Sequence, residues 1–505
     1  MLNKYLLSVD IGTSGTKTVL FDTSGKVICD ALYEYPLYQP RNGWAEQDPE
    51  DWKKATLFTI KEVVQKVCAE DIVGIGLSGQ MHGLVMLDKY DNVLRKSIIW
   101  CDQRTYKEAE QLTELVGKDK LIEITANPAL TGFTASKILW VKNNEPEIFE
   151  KCAKIMLPKD YIRYVLTGEF ATEVSDASGM QLLDVPKRAW SPFVLDRIGL
   201  DISKLGKMYE SCEVTGTVTK QIAELTGLKE GTIVVGGAGD QQASAVGNGI
   251  VKEGIASATL GTSGVVFAHT DKYTLDPLGR VHTLCHAVPN CWHVMGVTQS
   301  AGLSFKWIRD NLFDEVKQTA ELLGENTNYL MDKICAESPC GANGLIFLPY
   351  LMGERTPHLD PNARGVFFGI SAIHTKRDML RAVMEGVIYS LYDCVNIIEG
   401  MGATLNNVYA SGGGGNSKLW RQMMADVFAR PISIKGSWQG SALGVAILAG
   451  VGAGLYPSVT EACAMLNEEG DMTNPIVINT EVYKKYYPLY GELYRSLKDC
   501  FKKGL

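Results

Sequence analysis

Residues 8–21 read SVDIGTSGTKTVLF: an apolar strand pattern reaches Asp10, turns through Gly-Thr-Ser-Gly and resumes as a second strand pattern. Residues 257–268, SATLGTSGVVFA, repeat the device with the same four turn residues. The first copy continues into VICDALYEYPLY after another turn, and the second into WHVMGVT, so each copy opens an antiparallel meander. Helical periodicity follows in both halves, near residues 51–70, 379–402 and 417–429, and VYKKYYPLYGELYRSLKDCFKKG reads as a closing helix. The pattern is an α/β chain of two similar halves that divide near residues 245–255. We therefore expect one domain over residues 1–248 and a second over 249–505.

A chain of 505 residues is long enough for two or three domains. Its 46% hydrophobic and 21% charged residues are ordinary globular usage and exclude disordered and fibrous classes. The N-terminal apolar run meets Asp10 too early for a secretory signal, and no stretch has the roughly 18 consecutive apolar residues of a membrane span. The reading is a cytoplasmic protein that does not engage membranes. The 12 cysteines are scattered, form no CxxC and read as free thiols. A formal charge of −8 without a long basic run argues against nucleic-acid binding and for a small-molecule partner. His282, Cys285, His286, Cys291 and His293 lie close in sequence, but their spacing fits neither a zinc finger nor HExxH, and we read them as packing residues.

A glycine-bounded turn with two hydroxyls presents backbone N–H and O–H groups to an anion. One GTSG is an ordinary hairpin turn; two at equivalent places would face one polyphosphate across a cleft. This assigns Thr13, Ser14, Gly261, Thr262 and Ser263 to a nucleotide, while Lys17 either reaches the phosphates or points to solvent. No Walker sequence is present. A GxGxxG does occur at Gly74, Gly76 and Gly79, but it runs into GLVMLD, a strand pattern where a dinucleotide motif needs a helix. The run SGGGGN before a helix is either a tight turn or a platform for adenosine, which would involve Gly412, Gly413, Gly414 and Asn416.

In TIVVGGAGDQQASAVG, Asp240 stands at a helix start, where it either caps the helix or accepts the proton of an attacking hydroxyl. Asp10, at a strand end before the first turn, suits Mg²⁺ held through water or simply caps that turn. SGQMHG and IIWCDQRT follow apolar runs and offer Gln80, Met81, His82, Trp100, Asp102 and Arg104 to a polar substrate.

Together these segments resemble the FGGY carbohydrate kinases over nearly the whole chain, with GFTASKILWVKNN (132–144) and GVFFGISAIHTKRDMLRAVMEG (365–386) similar to the family's two signature segments. The resemblance implies two ribonuclease-H-like domains of actin and hexokinase type with a catalytic cleft between them, ATP and Mg²⁺ as co-substrate and cofactor, and Asp240 as general base. SGQMHG, GWAEQDPEDW, VSDASGMQLLDV and LPYLMGERTPHLDPNARG look like the branch that phosphorylates D-xylulose at its 5-hydroxyl. In that branch Met81, His82 and Asp240 would contact the sugar. Gln241 and Cys101 depart from the Asn that branch often carries at each place, and GDQQA resembles its glycerol-phosphorylating relatives. Other acceptors left open are glycerol, ribulose and gluconate, and outside the family an actin-like ATPase. Family resemblance and base rates fit a homodimer.

Overall fold

The computed structural model describes residues 4–435, 440–467 and 469–503. In the first half, β1 (Tyr5–Ile11), β2 (Gly15–Asp22) and β3 (Val27–Glu34) form the antiparallel meander. Next, β4 (Ile72–Gly79) lies parallel to β1, and β5 (Val214–Thr217) and β6 (Ile233–Val235) complete the sheet in the order β3-β2-β1-β4-β6-β5. The second half repeats this with β7 (Gly254–Leu260), β8 (Gly264–Thr270), β9 (Trp292–Thr298), β10 (Leu405–Ser411), β11 (Ile432–Lys435) and β12 (Glu469–Thr473), ordered β9-β8-β7-β10-β11-β12. Sequence periodicity did not reveal the extra strand His282–Cys285, which pairs with β9 at the outer edge.

Alternation along β1 sets the layers. Leu7, Val9 and Ile11 pack with Trp52, Ala55 and Ile60 of helix α1 (Pro49–Val64), which starts at a proline behind the Asp48 cap. On the opposite face Leu6, together with Val19 and Phe21 of β2, meets two helices that do not share a half. These are α2 (Asp240–Gly247), which follows the first sheet, and a later helix at Gly440–Gly452. Beyond the second sheet lie α3 (Lys376–Gly400) and α4 (Lys418–Phe428), and the Gly440–Gly452 helix is α5. Residues of α3 and α4 pack with Ala256, Ala258 and Leu260 of β7, while Ala245 of α2 and Ile250 pack with Phe267 and Tyr409 of the second sheet. Thus α2 and α5 form a central layer shared by both sheets.

That layer is possible only because side chains are missing where the backbones cross. A Cβ on Gly444 would lie 1.9 Å from the carbonyl oxygen of Ala243, and one on Gly247 would lie 2.0 Å from that of Gly440. On β4, a Cβ on Gly76 would lie 2.0 Å from Val445 O, which explains the GxGxxG run as a bed for α5. We predict that Gly444→Ala lowers stability by about 1–3 kcal/mol or more, through forced separation of α2 and α5. Gly400→Ala, where nothing lies within 4 Å, should be neutral or slightly stabilising. Urea denaturation of both variants checks the contrast.

Candidate active site

In both GTSG turns the carbonyls are occupied and the first glycine N–H closes the turn (Gly12 N to Gly15 O, 3.0 Å; Gly261 N to Ser263 O, 3.1 Å), so the donors left for a ligand are those of the threonine and serine. In the first, Thr13 O accepts from Gln47 Nε2 (2.7 Å), Gly12 O from Tyr35 OH and Gln80 Nε2, and Ser14 O from Tyr35 N. In the second, Gly261 O accepts from Gly302 N (2.8 Å) and Thr262 O from Leu303 N (3.1 Å), at the start of the helix Gly302–Leu312. A loop with its acceptors satisfied and donors free is suited to an anion. Lys17 turns to the surface, 3.5 Å from Asp30, so it does not join the first turn.

Gly261, Thr262, Gly413 and Gly414 line one cavity of about 350 Å³. Its other walls, Phe305, Lys306, Arg309, Asp332 and Trp420, were not legible as site residues because they come from three separate helices. Gly413 has no atom within 4 Å of its would-be Cβ, whereas Gly412, at φ +74°, supports the turn by lying against Leu260 O. Ser263, Gly412 and Asn416 do not line the cavity.

A second cavity, of about 180 Å³, draws walls from both halves. Met81, His82, Trp100, Asp240 and Gln241 meet there. His282, Leu284, Met295 and Arg355 arrive from the second half, and Phe133 from the segment GFTASK. Trp100 links this cavity to the first GTSG turn, since its Nε1 donates to Thr13 Oγ1 at 3.0 Å. Two expected contacts lie behind the wall. Gln80 Nε2 donates to Gln47 Oε1 (2.7 Å), bracing the first GTSG turn. Asp102 is fully buried, pairs with Arg104 at 2.7 Å and accepts from Ala45 N, so it holds the tryptophan loop.

His82 has φ +68°, a left-handed backbone that costs energy for a non-glycine residue and is held by its contacts. Its carbonyl accepts from Thr134 Oγ1 (3.1 Å) and from Lys137 Nζ (2.8 Å), and its Nδ1 lies 2.9 Å from Gly179 O. Because a carbonyl only accepts, Nδ1 must carry the proton and Nε2 is left as an acceptor. Burial, then the charge of Lys137, pushes His82 down to about 3, so the ring is neutral. His282 is likewise pushed to about 3 by burial and bonds Asn127 Oδ1 through Nδ1 at 2.7 Å. The cavity thus offers two neutral imidazole acceptors for hydroxyl donors.

Asp240 opens α2, its Oδ1 accepting from Gln241 N at 2.8 Å. Burial, followed by the negative charge of Asp10, raises it to about 7, where a general base is most useful at neutral pH. Asp10 is itself raised by burial, and Ser441 Oγ donates to its Oδ2 at 2.6 Å.

The cysteine and histidine run does not form a ligand set. His282 is bonded to Asn127, while His293 stacks on Phe267 and His286 packs edge-on against it. Among the described residues His269, Asp271 and Cys291 bring donor atoms within 4.8 Å, but His269 Nε2 already bonds Asp271 at 2.8 Å. Burial, then Asp271, pushes the Cys291 thiol up to about 11, favouring the neutral form that binds metals poorly.

Known proteins agree with this architecture. The chain is 38% identical over 503 residues to a xylulose kinase of Bacillus subtilis, covering 98% of each. A xyloylose kinase crystal structure from Brucella ovis superposes with a TM-score of 0.90 at 35% identity, covering 98% of this chain and 100% of that one. A gluconate kinase structure from Lactobacillus acidophilus reaches 0.92 at 30% identity, with 99% of both chains covered. Residues 5–247 match the N-terminal domain, and residues 256–453 the C-terminal domain, of the FGGY family of carbohydrate kinases. The chain belongs to that family and is a phosphotransferase with an alcohol acceptor.

Proposed function

We propose that the chain transfers the γ-phosphoryl group of ATP to the 5-hydroxyl of D-xylulose. The observation that carries this reading is the cavity built by both halves, with a carboxylate poised near neutral pH and two neutral imidazoles in its wall. An uncharged polyhydroxy ketose matches such a lining, and the kinship with xylulose kinases supports it.

As the sugar oxygen attacks, its proton passes to the Asp240 carboxylate, the new O–P bond forms, the bridging O–P bond breaks and ADP departs. His82 and His282 would each accept a hydrogen bond from a sugar hydroxyl through Nε2 and so fix which hydroxyl faces Asp240. Donors of the two GTSG turns would hold the phosphates, and the Gly413–Gly414 cavity the adenosine. Asp10 fits a water-mediated Mg²⁺ site, being a hard oxygen donor beside the first turn with one oxygen already fixed by Ser441. When bound, Mg²⁺ neutralises charge on the phosphate oxygens.

Arg355 favours a second reading. Its guanidinium side chain borders the cavity and has no hydrogen bond or ion pair to another described side chain, which suits the carboxylate of a sugar acid.

ADP release measured with D-xylulose, D-ribulose, L-xylulose, glycerol, D-gluconate or no acceptor separates these readings. We expect D-xylulose to stimulate most; preference for gluconate would overturn the ketose assignment in favour of the acid. Asp240→Asn should lower turnover about 10²–10⁴-fold while ADP affinity stays near wild type, checked by calorimetry. Gly413→Leu should fill the cavity of about 350 Å³ and weaken ATP binding without lowering the melting temperature.

A further inference from the structure

Ser441 is the second residue of α5, yet its hydroxyl reaches Asp10 on β1, 431 positions earlier in the chain, at 2.6 Å. A contact this short between an O–H and a carboxylate is a charge-assisted hydrogen bond, stronger than a neutral one. It commits Oδ2 of Asp10 to the protein and restrains the rotation of the carboxylate, which the Ser78 hydroxyl on the adjacent strand β4 also faces. Ser441 has little freedom to move away. Three residues further along α5, Gly444 presses backbone to backbone on Ala243 of α2, and Val445 sits on Gly76 of β4. The serine is therefore fixed by the helix crossing that joins the two halves.

Removing a group that holds a metal-binding carboxylate in place typically costs about 10–100-fold in metal affinity.

We propose that Ser441 is a positioning residue for the Mg²⁺ site: it orients Asp10 toward the nucleotide-bound cation and ties the geometry of that site to the α2–α5 crossing. This rests on the reading of Asp10 given above. Ser441 would not touch the sugar, and its loss would act through the metal.

The test is calorimetric titration of the whole protein with ADP, with and without Mg²⁺, alongside melting curves. In wild type Mg²⁺ should tighten ADP binding. Ser441→Ala should lose about tenfold of that Mg²⁺-dependent gain, the scale expected when an outer-shell partner is removed, with metal-free ADP affinity and melting temperature unchanged. Ser441→Thr, which keeps the hydroxyl, should restore it. Asp10→Ala serves as the reference and should abolish the gain. If Asp10→Ala keeps the gain, the metal reading of Asp10 fails and this inference with it. If Asp10→Ala loses the gain while Ser441→Ala keeps it, the role of Ser441 alone is overturned. A folded Ser441→Thr that behaves like Ser441→Ala would assign the effect to packing and equally overturn it.

Discussion

The near-contact of two backbones, α2 against α5, is the constraint on which the rest of the molecule depends. A Cβ on Gly444 has no room beside Ala243, nor one on Gly247 beside Gly440, so the helices approach more closely than side chains would allow. Each helix packs partly on the other half's sheet, and the cleft chemistry begins at their ends. Asp240 starts α2, and Ser441, near the start of α5, holds Asp10. The crossing therefore sets the distance between the base and the group expected to manage the phosphates. It also makes a division at residue 248 a statement about chain order rather than packing, because residues 440–452 complete the core under the first sheet.

Electrostatics in the cavity between the halves follow from burial more than from partners. Low polarity raises Asp240 to about 7 and holds His82 and His282 neutral, so one environment makes a useful base and two acceptors from ordinary side chains. Lys137 is lowered to about 7 by the same burial, partly offset by Asp102, and its bonds to the carbonyls of His82 and Gly132 hold the strained loop in place. Asp102 and Gln80 act one step behind the wall, where they shape the loop that carries Trp100 and the first GTSG turn.

Much of this was legible in the sequence because it is local. A repeated GTSG between apolar runs identifies two hairpins, and a period of two along β1 identifies which residues face which layer. Met81 and His82, or Asp240 and Gln241, are neighbours whose side chains serve one cavity. His282 and Arg355 were not legible as partners of Asp240, since only the packing of one half on the other brings them there, and Phe133 reaches the cavity from a distant segment of the same half. The glycines at 74 and 76 carried a real signal with an unfamiliar cause: they accommodate a helix from more than 350 residues later in the chain, not a dinucleotide. Gln80 and Asp102 show the converse, polar residues in the right loop whose bonds turn inward.

If Asp240 receives the sugar's proton it must first be ionised, and the pH dependence of kcat/KM for D-xylulose reports that ionisation. Because Asp240 is raised to about 7, its carboxylate fraction grows through neutral pH, and the account predicts an acid limb that falls about tenfold per pH unit below that point. His82 and His282, both near 3, do not titrate in this range, and loss of the Lys137 proton would bend the profile downward on the alkaline side instead. A profile that stays flat as pH falls well below 7 would contradict the account, since no base of that pKa would then be limiting.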